Sequence, residues 1–507
     1  MGLPVSSDRL RAIGSLWLLI RVALAVLIVA TVTRAGADPD LWGHVRFGQD
    51  ILAAGAVVKV DPYSFTSDRE WVNHEWLAEV AMALAWNGGG TAGLVALKAL
   101  LLLATLALVG WAAHRERVPS LAVWLLVVLA AVGVVPRATA VRPQLFSLLL
   151  FAAQMVILTE HERRGRRALL LGLPPLYALW VNLHGGWLVG GGVLALWTVG
   201  HVLERRGTRL DHLWLTAVGL LALLATLVNP YGLGMWRFLA DTVGFGRTHI
   251  ADWQPVWNVP APLVSWAVVG AVGGLLWAER CVPVTATGPL LVALLGLASL
   301  KVNRLDAFFA LSAVITLAPA FGEAARRLER RGDGASRSPT LAPAVASAVY
   351  LLVGVTTAHR VAAQIVCIPV SAQDEYPEPE ALAWLESTGT RGRAVTFFNH
   401  GEFLIWHLAP DVKVSMDGRR ETVYSAAVVD AHARLYDAPA EGSDYPDSVG
   451  ADLVLLPNSL GAAKHLEARG WRPAFMGPTT TVFTRGPGKA PTRPSTPPLE
   501  RCFPAED

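Results

Sequence analysis

The chain has 507 residues, of which 53% are hydrophobic and 16% are charged. Soluble domains carry about 25% charged residues, and several apolar runs here reach the roughly 17–25 residues needed to cross a lipid bilayer. The sequence therefore predicts a polytopic α-helical membrane protein and excludes a wholly soluble one. The formal net charge of only +3 argues against a nucleic-acid partner.

The first apolar run predicts a membrane anchor that is not cleaved. Basic residues precede the run, as in a secretory signal, but the stretch from Ile13 to Thr33 is longer than a signal core and contains Arg21. Hydrophobic length then predicts about eleven spans in all. They lie near 13–34, 91–113, 118–135, 143–159, 167–183, 186–203, 211–228, 261–278, 285–301, 304–321 and 341–359.

Arginine-rich loops orient these spans. With the N-terminus in the cytoplasm, loops such as 160–167 (EHERRGRR) fall on the inner side, as the positive-inside rule requires. The apolar stretch 75–87 is too short to cross, and counting it as a span would place Arg163 and Arg164 outside. We therefore expect this stretch to be a helix at the membrane surface. The odd number of spans places the C-terminal segment outside the cytoplasm.

The composition changes after about residue 360. Strand and helix patterns then alternate, which predicts a small extracytoplasmic α/β domain over 370–485, following a membrane domain over 1–360. The Pro-, Thr- and Gly-rich segment 486–507 is typical of a disordered tail. The three cysteines show no metal-ligand spacing and are too few for a disulfide framework. They are Cys281, Cys367 and Cys502.

Polar motifs between the spans gather on the predicted outer side, beginning with the first outer loop (35–90). For any one motif alone, a helix cap or an interfacial anchor is as good an explanation as a functional site. Polar groups at the ends of apolar spans are costly unless they line a cavity, so the whole set favours a site that faces outward. The motifs are ADPDLWGH (37–44), VNHEW (72–76), RATAVRPQ (137–144), NLHGG (182–186), NPYG (229–232), ADWQP (251–255) and KVNR (301–304).

Asp38 and Asp40 are the acidic pair on which the chemical interpretation depends. A carboxylate there can act as a general base, or both can hold a divalent cation such as Mg²⁺ or Mn²⁺ through oxygen ligands. Lys98 lies within a span and either holds a lipid phosphate or extends to the headgroups. The sequence has no P-loop, Rossmann fingerprint or HExxH motif, so ATPase, dehydrogenase and zinc-protease functions lack support.

Taken together, the motifs resemble those of GT-C type integral-membrane glycosyltransferases. DPDLWGH (38–44), VNHEW, RPQLFSLLL (142–150), NLHGG, NPYG and MDGR (416–419) are similar to landmarks of a bacterial GT-C-like subgroup, over nearly the whole chain. The resemblance implies an inverting glycosyltransferase of the bacterial inner membrane, with a polyprenyl-phosphate-linked sugar donor in the outer leaflet. The chain has no WWDYG-like or HPPL stretch, so the sugar and the acceptor stay open. MDGRRE (416–421) by itself is better explained as a strand end that turns at Gly418.

The predicted roles combine the residue chemistry with this resemblance. Asp38 or Asp40 would be the base or a metal ligand, and His44, His74 and Glu75 would support the acids or position the acceptor. Membrane lipids and an acceptor (a glycan, lipid or protein) complete the predicted partners. The candidate substrate-binding residues are Lys98, Arg142, Asn182, His184, Asn229 and Arg304.

Two other classes of protein fit parts of the sequence. A transporter would also need polar groups in its spans, but it would be expected to show acids near the membrane midplane and an internal repeat, and no clear repeat is seen. A non-catalytic protein that binds a lipid or a partner through its C-terminal domain is the second alternative. The active-site hypothesis requires Asp38 or Asp40 to share a cavity with Lys98, Arg142, His184 or Arg304.

Overall fold

The protein is described here from a computed structural model that covers residues 7–242, 250–281, 283, 285–332, 342–370, 376–485, 492 and 502–504. Helices dominate the first three quarters of the chain. They are α1 (Ser7–Val32), α2 (Leu41–Ala54), α3 (Trp76–Arg115), α4 (Ser120–Ala138), α5 (Gln144–Arg164), α6 (Arg167–Leu170), α7 (Leu173–Trp180), α8 (Trp187–Leu203), α9 (Arg209–Ala225), α10 (Leu233–Thr242), α11 (Leu263–Ala278), α12 (Thr287–Lys301), α13 (Asp306–Gly332) and α14 (Ala342–Val366).

These helices give the chain a polytopic membrane fold. By length and composition, four helical segments can each cross a membrane: Trp76–Arg115, Ser120–Ala138, Gln144–Arg164 and Asn303–Arg331. Five shorter apolar helices of 10–17 residues accompany them: Leu19–Val32, Trp187–Leu203, Leu263–Ala278, Thr287–Lys301 and Leu351–Val366. Each predicted span coincides with helical structure, although the span predicted at 167–183 is divided between α6 and α7.

Helix α3 is two helices joined at a break. Gly89 and Gly90 leave the helical region, and Gly90 has a φ of 57°, which favours glycine. A Cβ on Gly93 would collide with the carbonyl oxygen of Ala85, so the chain folds back on itself at the glycines. The short first half is thus separate from the longer second half, as the sequence predicts.

Helices α4 and α13 pack closely enough to bring their polar ends together. A Cβ on Gly133 of α4 would lie only 2.9 Å from the Cβ of Ala310 on α13. This close approach carries Arg137, at the end of α4, to Asp306, at the start of α13. The apolar interface between the two helices therefore positions charged groups at one end of the helix bundle.

The C-terminal part forms a five-stranded mixed sheet with the strand order β3-β2-β4-β6-β5. Strand β2 is parallel to β3 and to the central strand β4, whereas β6 is antiparallel to β4 and β5. The strands are β1 (Ile368–Pro369), β2 (Gly392–Thr396), β3 (Val412–Val414), β4 (Leu453–Pro457), β5 (Arg472–Met476), β6 (Thr480–Thr484) and β7 (Cys502–Phe503). The helices are α15 (Pro379–Ser387), α16 (Gly401–Leu408), α17 (Ala426–Asp437), α18 (Pro439–Gly442), α19 (Tyr445–Ser448) and α20 (Ala463–Leu466).

Residues 502–503 are joined to residues 367–369, at the start of the C-terminal part. Strand β7 pairs with β1, and a disulfide joins Cys367 to Cys502. Trp42 of α2 packs edge-on against Phe503 and donates a hydrogen bond to the carbonyl of Pro504 at 2.9 Å. The prediction of a disordered tail is therefore wrong for residues 502–504, because burial, pairing and a covalent bond outweigh the polar composition around them. Most of the remaining tail lies outside the described residues.

Candidate active site

A cavity of about 660 Å³ lies where the first loop, the ends of several membrane helices and the C-terminal sheet meet. The first loop contributes the segments around α2 and the start of α3. The turns after α4 and α7 and the segments before α11 and α13 add basic and aromatic side chains. The C-terminal part contributes the turns that follow β2 and β3. Eight predicted site residues line this cavity: Asp38, Asp40, His44, His74, Glu75, Arg142, His184 and Arg304.

Arg142 holds three carboxylates together. Its guanidinium forms an ion pair with Asp38, lies 3.3 Å from Asp40 Oδ2 and lies 3.2 Å from Asp252 Oδ2. The RPQ motif places Arg142 immediately before α5, so its side chain reaches the N-terminal end of α2. Arg142 therefore fixes the positions of both predicted acids.

Asp252 links this cluster to a second arginine. Arg137 pairs with Asp252 and also donates to Asp306 Oδ1 at 3.1 Å and to Asn303 Oδ1 at 2.7 Å. Burial by itself raises the pKa of Asp252, but the nearby arginines outweigh it and hold that pKa below its ordinary value. Asp252 is thus an ionised bridge beside the cavity.

Glu75 is surrounded by histidines. Its Oε1 lies 3.5 Å from His74 Nε2 and 3.6 Å from His184 Nε2. Burial raises the pKa of Glu75, and the facing histidines more than reverse this, so its pKa lies below the ordinary value. His184 is itself oriented by Ser147, whose Oγ lies 2.7 Å from His184 Nδ1. On its other side, Arg304 Nη2 lies 2.9 Å from His184 Nε2.

Glu79 connects α2 to the VNHEW motif. Its Oε1 lies 3.5 Å from His44 Nδ1, and its Oε2 accepts a hydrogen bond from Asn73 Nδ2 at 2.5 Å. Burial lowers the pKa of His44, but the hydrogen bond to Glu79 and the negative charges of Glu75, Glu79 and Asp40 together outweigh burial, so the pKa lies above its ordinary value. Glu79 follows VNHEW by one helical turn and shares a helix face with Glu75, but it has no predicted role among the sequence motifs.

Asp40 is the acid with the most altered ionisation. Burial, the largest influence, raises the pKa of Asp40 to about 6, with Glu75 and Asp252 acting in the same direction and His44 and Arg304 opposing them. A carboxylate with a pKa in this range can accept a proton near neutral pH and release it again. Asp40 therefore has the ionisation expected of a general base.

The MDGR turn forms a buried ion pair between the C-terminal part and the first loop. Arg419 donates to both oxygens of Asp417, at 2.8 and 2.7 Å, and its third nitrogen donates to Asp61 Oδ1 at 2.7 Å. Three aromatic rings of the first loop surround the guanidinium, with centroids 4.7–5.2 Å away. They are Phe47, Tyr63 and Trp71. The interpretation of MDGR as a simple strand end misses this role.

Glu402, at the start of α16, also reaches the cavity from the C-terminal part. Its side chain is buried, and burial together with the negative charges of Asp40 and Asp417 raises its pKa well above the ordinary value. The sequence offers no signal for this residue, because GEFLIWHL reads as an ordinary amphipathic helix. Its role depends on a contact with α2, which precedes it by more than three hundred residues.

Three predicted substrate-binding residues lie outside the cavity lining. Lys98 is fully buried and donates to the carbonyl of Val32 at 2.8 Å, so it fastens α3 to the end of α1. Asn182 accepts from Trp76 Nε1 at 2.8 Å and donates to the carbonyl of Val228 at 2.8 Å. Asn229 caps its own turn by accepting from Tyr231 N at 2.8 Å. In this structure Lys98 and Asn182 connect elements around the site, Asn229 stabilises its own turn, and none of the three lines the cavity.

The predicted divalent cation has a poor set of ligands here. Among the described residues, no three His, Cys, Asp or Glu side chains are grouped in a way that could hold a metal ion. Arg142 also contacts both Asp38 and Asp40, so a cation would have to displace its guanidinium.

Comparisons with known proteins identify the fold. No protein-family model and no curated protein sequence matches the chain. Among solved structures, ArnT from Cupriavidus metallidurans bound to undecaprenyl phosphate is similar with a TM-score of 0.56 and 13% identity, over 94% of this chain and 99% of that chain. The archaeal oligosaccharyltransferase AglB from Archaeoglobus fulgidus, in complex with an inhibitory peptide and a dolichol-phosphate, has a TM-score of 0.52 and 12% identity, over 86% and 69% of the two chains.

A third solved structure extends this comparison. The mycobacterial arabinofuranosyltransferase AftD is similar with a TM-score of 0.50 and 16% identity, over 97% of this chain and 42% of that chain. These neighbours are GT-C glycosyltransferases. The chain therefore has the GT-C fold, and the cavity lies among the loops that this membrane fold brings together.

Proposed function

We propose that the protein is a membrane glycosyltransferase, which transfers a sugar from a polyprenyl-phosphate-linked donor to a hydroxyl acceptor on the outer face of a bacterial inner membrane. The observation that carries the proposal is one cavity in which Asp40, an acid with a pKa near neutrality, faces Arg142 and Arg304. The GT-C fold supports the class of reaction. Undecaprenyl phosphate in ArnT and dolichol-phosphate in AglB support a lipid-linked donor.

Arg304 is the first candidate for holding the donor phosphate. Within the described residues it meets His184 and the ring of Trp253 but has no carboxylate at ion-pair distance. Arg142, in contrast, is already paired with three acids. A guanidinium binds phosphate through charge-assisted hydrogen bonds, and a positive charge stabilises the phosphate as it leaves. Arg304 would bind the donor directly, and Arg142 would keep the acids in place.

The reaction is a single displacement. Asp40 takes the proton of the acceptor hydroxyl, whose oxygen forms a bond to the anomeric carbon of the sugar. The bond between that carbon and the phosphate oxygen breaks, and its electron pair leaves with the polyprenyl phosphate. One displacement inverts the anomeric configuration, so NMR of the product tests the inverting mechanism.

The proposal is tested by transfer from radiolabelled polyprenyl-phosphate sugars to cell-envelope extract, with purified protein in lipid vesicles. Wild type is compared with Asp40→Asn and with Asp430→Asn, a matched change at an exposed acid on α17. Transfer by wild type and Asp430→Asn that is lost in Asp40→Asn supports the enzyme and its base. Folded protein that transfers none of the sugars overturns the enzyme proposal and favours a lipid-binding protein or a transporter. Chelation followed by Mg²⁺ or Mn²⁺ addition in the same assay tests the predicted cation.

A further inference from the structure

The carboxyl group of Glu402 is buried beside the cavity without a full set of partners. The residue is 3% exposed, and its Oε2 has no hydrogen-bond partner within the described part of the chain. An unsatisfied carboxyl oxygen costs free energy unless a ligand completes its bonds. The position of Glu402 therefore needs an explanation beyond packing.

Helix α16 holds Glu402 firmly in this place. Phe403 packs edge-on against Trp42 of α2, with ring centroids 5.5 Å apart, and Trp406 packs against Trp86 at 5.7 Å. Leu404 and Ile405 are buried. The apolar face of the helix thus fixes the direction of the Glu402 side chain.

Two glycines leave the space that the Glu402 carboxyl group occupies. A Cβ on Gly43 of α2 would fall on that carboxyl group. A Cβ on Gly418 would meet both Glu402 Oε1 and Asp40 Oδ1, so the two acids converge on the same side of this glycine. The fold therefore places a second carboxyl group next to the proposed base.

The charges that face Glu402 come from four different parts of the chain. Asp40 and His44 lie at the start of α2, Glu79 lies on α3, Arg142 precedes α5, and Asp417 and Arg419 lie after β3. Arg419 is already committed to Asp417 and Asp61, and Arg142 is committed to three other acids. Two acids this close do not both ionise readily.

We infer, building on the proposed function, that Glu402 binds the acceptor: it keeps its proton and donates a hydrogen bond to the acceptor hydroxyl oxygen while Asp40 removes the hydroxyl hydrogen. A hydroxyl group both donates and accepts hydrogen bonds, so it fits between an ionised acid and a protonated one. The proton of Glu402 stays on Glu402 throughout the displacement. The C-terminal part thereby helps to select an acceptor that presents a hydroxyl group.

The test compares Glu402→Gln, Glu402→Ala and Glu386→Gln, the last being a matched change at an exposed residue on α15. Glutamine keeps a neutral hydrogen-bond donor, so we expect transfer with an acceptor KM close to that of wild type. Alanine removes the donor, and we expect the acceptor KM to rise roughly tenfold, the donor KM being unchanged. Ionisation of Glu402 should lower the activity of wild type at alkaline pH. This fall should be absent from Glu402→Gln, whose amide does not ionise.

Infrared pH titration of the resting protein provides a readout that does not depend on transfer. Wild type should show the carbonyl band of a protonated carboxylic acid near neutral pH, and Glu402→Gln should lack it. An ionised Glu402 at that pH, or an alanine variant with an unchanged acceptor KM, overturns the inference. If the infrared band is present but wild type transfers no sugar, the proposed function fails, and the proposed acceptor role fails with it. A melting temperature close to wild type shows that each variant is folded.

Discussion

Arg419 donates to Asp61 Oδ1 at 2.7 Å across the junction between the C-terminal part and the first loop. The same guanidinium forms a bidentate ion pair with Asp417. The side chains of Arg419, Asp61 and Asp417 are all nearly inaccessible to solvent. Removing one member of a buried ion pair leaves the other without compensation. Loss of Arg419 should therefore destabilise the protein.

We expect Arg419→Met to lower the free energy of unfolding by about 3–5 kcal/mol, because two buried carboxylates lose their counter-charge. Thermal unfolding in detergent or lipid measures the effect. Arg391→Met is the matched control, since Arg391 is 75% exposed and lies 3.6 Å from Asp411. Equal melting temperatures for the two variants would contradict the structural role of Arg419.

We expect Asp40→Asn to reduce the rate of transfer by about 10²–10⁴-fold, the usual contribution of a general base. The direction in which kcat/KM changes with pH follows from the ionisation of this base. A base works in its ionised form and Asp40 has a pKa of about 6, so wild-type kcat/KM should rise with pH up to about that value, level off, and fall again only where Glu402 ionises at higher pH. A wild-type profile without this acidic limb would contradict the assignment of Asp40.

We expect Arg304→Gln to weaken donor binding by roughly ten- to a hundredfold, the value of one charge-assisted hydrogen bond to phosphate. The Kd for a polyprenyl phosphate, measured by titration in vesicles, reports this change. Arg209→Gln at the exposed start of α9 is a control for the loss of one positive charge. Equal affinities in the two variants would remove Arg304 from the donor site.

Substitution of Lys98, unlike substitution of Arg304, is expected to leave donor binding unchanged. Its ammonium group donates to the Val32 carbonyl, in the interior and outside the cavity lining. Lys98→Met should therefore leave the Kd for polyprenyl phosphate unchanged, since methionine fills a similar volume. A large loss of affinity in a variant with a normal melting temperature would restore the role in phosphate binding that the sequence indicates.

The disulfide gives a prediction about topology. Disulfides persist in oxidising compartments, so Cys367 and Cys502 should lie outside the cytoplasm, as the loop charges also predict. After mild reduction of intact spheroplasts, a membrane-impermeant maleimide should label these two cysteines. Cys281, which is buried and follows a predicted inner loop, is the internal control. Labelling that needs permeabilised membranes would place the C-terminal part inside.

Hydrophobic length and loop charge predict most of the helical architecture, because both follow from the cost of placing polar groups in lipid. The gathering of Asp40, Glu75, Arg142 and Arg304 in one cavity could also be expected, since the loop charges predict that their motifs share one side of the membrane. The sequence patterns do not show which polar side chain contacts a ligand and which forms hydrogen bonds to another part of the protein.

The predicted residues outside the cavity lining, and the lining residues with no predicted role, illustrate this difference. Asn182 and Lys98 have residue types suited to a site, yet each satisfies a backbone group of a neighbouring element. Glu402 and Glu79 lie on helices with no local signal of function. Their roles come from contacts between elements that are distant in sequence, which periodicity cannot reveal.

The space around Glu402 also constrains how related sequences can diverge. Gly43 is confined to glycine only while the Glu402 carboxyl group lies against it, whereas Gly418 is also confined by Asp40 Oδ1. A lineage that replaced Glu402 with a smaller residue would release position 43 to accept alanine or serine, and it would lose the preference for the original acceptor. Across such lineages we expect positions 43 and 402 to change together while Gly418 stays with Asp40, which makes the first two an inherited record of acceptor choice.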